Sequence, residues 1–174
     1  MLKLTVGGRK MIIVKQKKTE FPYSEEKATQ ASSFMLELAG GQMEYIHLIK
    51  LLYLADRQAL GEWSRPITTD RYVSMKDGIV LSRILDHIKL NDSVLWTNHI
   101  QKDGYRISIT KPFEKYSKLS KADKDVMKQV FEQYKEMDAW TLIEEVIHKL
   151  PEWDSSVVEK IHKHQLIFSL YFQS

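Results

Sequence analysis

Cysteine is absent from the 174 residues. That removes disulfides, thiolate zinc sites, iron–sulfur clusters and thiol nucleophiles from consideration, and leaves the compartment open. No apolar run approaches the roughly 18 residues that a membrane-spanning helix needs, and the N-terminus has no apolar segment followed by a small-residue cleavage site. A soluble, cytoplasmic protein with no membrane partner is expected. Glycine is sparse, and neither GxxxxGK nor GxGxxG occurs. A phosphate-cradling loop needs glycines at those spacings so that backbone N–H groups converge on the anion, so nucleotide readings have no support. No HExxH pattern places two imidazoles on one helical face, and His162 and His164 lie two apart, which splays them on a helix. Neither a metal nor another cofactor is expected. Ser82 sits in "LSR" without the GxSxG elbow that exposes a nucleophile, which reads as a structural serine. A triad assembled from distant residues stays open at this level. Glu144 and Glu145 are adjacent, so on a helix they diverge and read as a solvated face.

Charge of one sign is also lacking. The 26 Lys and Arg against 23 Asp and Glu leave +3, with the two signs interspersed, too weak a bias to imply nucleic acid. No helix shows the Lys and Arg stripe of a recognition helix. Lys10, Lys15, Lys17 and Lys18 fall in an N-terminal arm and read as a solvated tail. What remains is a chain with 43% hydrophobic and 28% charged residues, enough apolar surface at this length to close one core.

The patterning predicts a mainly α fold: a compact helical domain with a small antiparallel β-hairpin. Residues 1–23 read as an N-terminal extension, in which Gly7-Gly8 suits a tight hairpin turn and Met11 is an equally good natural start. Residues 24–169 read as one domain. The terminal "LYFQS", 170–174, resembles a protease recognition sequence used in recombinant expression, and no function is argued from it. Ser24 caps a first helix with Glu25 and Glu26 in its first turn and Ala28, Ala31, Met35 and Ala39 as its stripe, ended by Gly40-Gly41. A second helix runs from about Gln42 to Glu62, antiparallel to the first. Residues 63–78 break the helical period, and "IVLSRILDHIKL" resumes a short helix. "VLWTNHI" and "YRISIT" read as the two strands of the hairpin, joined by residues 101–104. Ser120 with Asp123 opens another helix, which puts Val126, Met127, Val130, Phe131, Tyr134 and Met137 on one side. Asp138 caps the last, whose Trp140, Ile143, Val146, Ile147 and Leu150 face inward until Pro151.

Within "LIKLLYLADR", 48–57, an acid sits on an apolar face. At 100° per residue Leu48, Leu51, Leu52, Ala55 and Ala59 share an arc, and Asp56 falls on its flank between Leu52 and Ile49. Tyr53 and Arg57 fall on the outward wedge with Lys50, exposed to solvent or a partner. An unpaired buried carboxylate costs several kcal/mol, so Asp56 needs a cation or several donors. Arg65, Arg71 and Tyr72 of the irregular segment are the near candidates, with Lys27 and Arg83 on adjacent helices. An Arg65 fork, bonding both oxygens, would clamp the loop. The clamp reads as a structural salt bridge or as part of a partner grip. Trp63, Pro66, Ile67 and Tyr72 form either an exposed anchor or caps on the core. Asp70 caps a turn or pairs near Arg71, Gly78 supplies a backbone angle closed to other residues, and Trp140 and Trp153 read as core and closing contacts.

"KATQASSFMLELAGGQMEYIHLIKLLYLADRQAL", then "RPITTDRYVSMKDGIVLS" and "AWTLIEEVIHKLPEW", spread over about residues 24–153, resemble the Panacea domain, the SocA-like antitoxin family found in phages and mobile elements. The specificity lies in the ordered set: KATQ, the Gly-Gly break, LIKLLYLADR, RPI with a following Asp and Tyr, a Gly before V-L-S, and PEW. Two departures stand out. Ser64 replaces the Gly of "GRPI", and Asp77, Gly78, Ile79 and Val80 replace "HGPV". The resemblance implies an antitoxin, not an enzyme, that binds a cognate toxin directly; the SocA-type member also presents its toxin to a cytoplasmic AAA+ protease. Two other classes stay open: a DNA-binding regulator of a phage or mobile element, marked by steeply salt-dependent binding, and an enzyme with a composite site, marked by a cleft of perturbed titrating groups.

Overall fold

A computed structural model describes residues 21–153, together with the backbone of residues 4–6 and 9–11. Expectations placed on residues 154–174, His162 and His164 among them, and on Lys15, Lys17 and Lys18 lie outside the described residues. In chain order, β1 (Leu4–Val6) pairs antiparallel with β2 (Arg9–Met11). Ser24 accepts the Lys27 N–H and starts α1 (Glu25–Leu38), whose end passes through Gly40 and Gly41 at φ +80° and +97°. Both glycines take the left-handed angles that stop a helix. β3 (Gln42–Glu44) then leads directly into α2 (Tyr45–Trp63). The hairpin β4 (Tyr72–Met75) and β5 (Gly78–Leu81) follows, then α3 (Ser82–Leu90), α4 (Val94–His99), β6 (Ile100–Asp103) and β7 (Arg106–Ile109). Helices α5 (Lys121–Tyr134) and α6 (Ala139–Glu145) and a 3₁₀ turn (Ile147–Lys149) complete the described chain.

The fold is mainly α, as expected; its small antiparallel sheets are β1–β2, in line with the N-terminal hairpin expected around Gly7-Gly8, the unexpected β4–β5, and the three-stranded β3–β7–β6, of which β6–β7 is the expected hairpin. Three boundaries differ from the sequence reading, each because a neighbour overrides local preference. "VLWTNHI" is helix up to its last residue. Its β-prone side chains yield to the Ser93 cap, which accepts the Trp96 N–H at 3.0 Å, and to burial of Trp96, while Val94 stays 77% exposed. The strand partner of β7 is therefore Ile100–Asp103, and Gly104, at φ +58°, opens its two-residue turn. Gln42–Glu44 leave the second helix because they pair with Ser108, Ile107 and Arg106. Ile79–Leu81 belong to a strand, not to the short helix. Buried along its whole length, β5 has no polar–apolar alternation to betray it.

Helix α2 runs through the centre and packs against α1, α5, β5 and α6. All residues from Leu48 to Asp56 are buried. The outward wedge expected for Lys50, Tyr53 and Arg57 does not exist: Lys50 and Tyr53 are fully buried and the Arg57 side chain is only 26% exposed. With elements packed around it, this part of the helix, residues 48–56, keeps no solvated stripe. Trp140 departs in the opposite direction. At 58% exposure it lies outside the core that the helical period assigned to it, while Leu142, Ile143 and Ile147 are buried.

Candidate functional site

Between the end of α2 and the start of β4 the chain runs through residues 64–71 without regular structure. Ser64 and Thr69 take left-handed angles, φ +57° and +54°. Three buried carboxylates, Asp56, Asp70 and Asp123, hold this segment. Asp56, fully buried, accepts the backbone N–H groups of Ile67 and Thr68 on Oδ1, both at 2.8 Å. Its Oδ2 accepts the Thr68 hydroxyl and, at 3.0 Å, the Tyr72 hydroxyl. Burial pushes the Asp56 carboxyl up to about 6, against the pull of those Thr68, Tyr72 and Ile67 donors. The Tyr72 hydroxyl, buried beside this anion, is held well above its ordinary value.

The clamp on the irregular segment exists, and Arg65 is not its agent. Arg65 Nη2 bonds Asp123 Oδ1 at 3.0 Å, and Lys27 Nζ reaches Asp123 Oδ2 at 3.1 Å. Asp123 also closes the capping box of α5 with Ser120. Burial raises this carboxyl, but the Ser120 N–H and the Lys27 and Arg65 cations outweigh it and leave it below the usual range. A partly exposed guanidinium keeps its hydration at the rim, while the buried N–H groups of Ile67 and Thr68 need an acceptor, which Asp56 supplies.

Asp70 does for α3 what Asp56 does for the loop. Its oxygens accept the N–H groups of Arg71 at 2.6 Å, Arg83 at 3.1 Å and Ile84 at 2.9 Å. Leu81, at the N-cap position, offers no capping side chain, so the first turn of α3 is capped by a residue from before the β4–β5 hairpin. Burial holds the Asp70 carboxyl above its usual value despite those three donors.

The remaining site candidates divide by burial. Pro66 and Ile67 are buried, as is Tyr72, so these three are core and not an exposed anchor; Trp63 is half-buried beside them. Gly78 takes φ +91°, and a Cβ there would stand 2.6 Å from Ile147 Cγ2 and 3.3 Å from Lys50 Nζ. Lys50 in turn donates to the Ile79 carbonyl at 3.0 Å, and burial brings its ammonium down to about 8 although Asp77 opposes this. Tyr53 and Arg57 converge on one acid: the Tyr53 hydroxyl and Arg57 Nε donate to Glu152 Oε1 at 2.8 and 2.5 Å. Trp153 stacks on His148 at 3.9 Å between centroids, and its indole N–H reaches the Met75 carbonyl at 3.4 Å.

Sequence reasoning missed the roles of Thr68, Lys50, Asp123 and Glu152 in this arrangement. Thr68 had a visible signal, a hydroxyl after Pro66 and within reach of a helix end. Glu152 had a weaker one, an acid wedged between Pro151 and Trp153. Among the described residues no three His, Asp or Glu side chains group as metal ligands, and no helix is long and apolar enough to cross a membrane.

A family model described as antitoxin SocA-like, Panacea domain, matches residues 48–154. The match takes in the clamped segment, Gly78 and the PEW turn, and begins inside α2, so α1 and the Gly-Gly link of the sequence resemblance lie before it. No curated protein and no solved structure matches the chain.

Proposed function

Because the chain belongs to the SocA-like antitoxin family of Panacea domains, we propose that it neutralises a cognate toxin in the cytoplasm by direct protein–protein binding. One observation carries the reading. The matched segment, 48–154, is the part of the chain in which the buried carboxylates Asp56 and Asp70 are committed to main-chain donors. Groups used in this way set shape. They preform a surface, and a preformed surface binds without the ordering cost that a flexible one bears. Asp56, Pro66, Asp70, Tyr72 and Gly78 organise that surface, and the partly exposed Arg57, Trp63 and Arg65 are its contact groups. Handing the toxin to an AAA+ protease is a further step of the same proposal.

Coexpression with small toxic reading frames encoded beside the gene is the test. Restored growth and copurification of the toxin are expected, followed by faster degradation of the toxin when protein and protease are combined. A well-folded protein that rescues none of its neighbours overturns the reading. Steeply salt-dependent binding to duplex DNA, in place of rescue, supports a regulator instead.

A further inference from the structure

Tyr23, just before α1, begins a chain of three side chains that the antitoxin reading does not use. Its hydroxyl stands 3.1 Å from His87 Nε2, and His87 Nδ1 stands 2.6 Å from Asp92 Oδ1. Local structure brings the three together. Asn91, at φ +50°, ends α3 in the left-handed conformation and turns the chain, which sets Asp92 back against His87. The Ser24 N–H is held by Thr69 Oγ1 at 3.3 Å, and the Arg83 and Ile84 N–H groups by Asp70, so the starts of α1 and α3 are tied to the same irregular segment. His87 is 8% exposed, and its ring also meets Trp96 at 5.7 Å between centroids. The Asp92 side chain is 46% exposed, Arg83 is exposed and Tyr23 half-buried.

An ionised carboxylate only accepts, so Nδ1 of the neutral imidazole carries the hydrogen and Nε2 the lone pair, which accepts the Tyr23 O–H. Hydroxyl, base and orienting acid in that order activate a nucleophile. The Arg83 guanidinium lies 4.5 Å from the centroid of the Tyr23 ring, beside the place where negative charge collects when an acyl group is transferred. Burial, with the charges of Asp70 and Glu25, holds the Tyr23 phenol well above its ordinary value. The hydroxyl therefore reacts only as its proton leaves for His87. The same two carboxylates, with Asp92, disfavour an anionic donor. We propose that Tyr23 is an acylation site, taking an acyl group from a small uncharged activated ester, with His87 as base, Asp92 as positioning residue and Arg83 as oxyanion donor. The bond from Tyr23 Oη to the acyl carbon forms and the ester C–O bond breaks. The leaving oxygen takes the bonding pair, and the Tyr23 proton passes to His87 Nε2 and then to that oxygen. Asp92 holds the imidazolium formed between the two steps. Tyr23 lies before the residues of the family match, 48–154, and the site is independent of the antitoxin reading.

The test treats the full chain with 4-nitrophenyl acetate and locates the acetyl group by peptide mass spectrometry over time. Tyr23 is expected to be labelled faster than Tyr105, although Tyr105 is 79% exposed. His87→Gln lowers the Tyr23 rate about a hundredfold and leaves the Tyr105 rate unchanged. Asp92→Asn lowers the Tyr23 rate at an unchanged melting temperature, and Asp92→Glu restores part of it. The Tyr23 rate also drops in deuterium oxide, which a packing role for His87 would not cause. With the anionic ester 4-nitrophenyl hydrogen succinate the preference for Tyr23 over Tyr105 is lost. Faster labelling of Tyr105 by the neutral ester, acetyl on His87 in place of Tyr23, or a folded His87→Gln labelled at the wild-type rate overturns the proposal. If His87→Gln does not fold, the Asp92 pair and the deuterium effect decide, and an unchanged Tyr23 rate in both overturns it equally.

Discussion

Asp56→Asn isolates the clamp. The asparagine keeps the volume and one carbonyl oxygen for the Ile67 and Thr68 N–H groups, but presents N–H donors to the Thr68 and Tyr72 hydroxyls, which donate to Oδ2 in the wild type. It also removes a titration. The folded carboxyl sits at about 6, against 3.8 when free of its surroundings. As pH falls, the folded protein therefore takes up this proton before the unfolded chain does, and unfolding becomes harder. Buried ionisation works against folding at neutral pH and stops doing so on acidification. Between about pH 7.5 and pH 5.0 the linkage amounts to about 1.4 kcal/mol of added stability in the wild type that asparagine cannot show. Urea unfolding of both proteins at both pH values measures it, and the wild type should gain about that much on the variant. Asp70, shifted in the same direction, is common to both and cancels. A gap that stays constant, or moves the other way, would mean that the four donors outweigh burial and that Asp56 remains ionised throughout. Burial would then not govern the titration of the clamp.

Two further perturbations bear on how the segment is held. Gly78→Ala places a methyl group against Ile147 Cγ2 in a backbone conformation with φ +91°, so a loss of about 2–4 kcal/mol is expected from the angle and the overlap together, read by thermal melting; a loss under about 0.5 kcal/mol refutes the close approach. Asp123→Asn should behave oppositely to Asp56→Asn with pH. The Asp123 carboxyl is held low by Ser120, Lys27 and Arg65 in spite of burial, so its stabilisation is present above the free-chain value and lost as pH falls through the folded one. Wild type should lose more stability than Asp123→Asn between about pH 5 and pH 2.5, and a parallel decline of the two would show that Lys27, Arg65 and Asp123 add nothing to stability as an ionic group.

Much of the helical frame was legible because its signals are local. Ser24, Ser120 and Asp138 cap the helices they were expected to cap, and Ser120 with Asp123 forms the full capping box. Caps act within three residues, so sequence alone carries them. What failed depended on partners far along the chain. Whether residues 42–44 and 79–81 are helix or strand is decided by β7 and β4, and whether Lys50 and Tyr53 meet water is decided by Ile79 and Glu152, 29 and 99 residues away. A helical wheel can rank the faces of α2 but cannot count the layers packed on it. Trp140 shows the same limit from the other side, since one turn of 3₁₀ geometry after Glu145 breaks the 100° progression on which its inward placement relied.

The acid of α2 does need partners, as its place on an apolar face implied, but they are not cations. The reason lies in the loop as much as in the carboxylate. Pro66, Ile67 and Thr68 are buried, and no strand or helix accepts the N–H groups of Ile67 and Thr68; each orphaned donor there costs about 1–3 kcal/mol. A buried arginine would satisfy Asp56 while leaving those donors unmet and adding several of its own. Main-chain donors instead let acid and loop satisfy each other, and they release Arg65 to tie the same loop outward to α5 through Asp123. The irregular segment is thereby fixed by two means: neutral donors to a fully buried carboxylate at Ile67 and Thr68, and an ion pair to Asp123 at Arg65, whose guanidinium stays partly exposed. Such a division holds a surface in one shape, and the charge buried beneath the loop is one that Asp56 itself can shed.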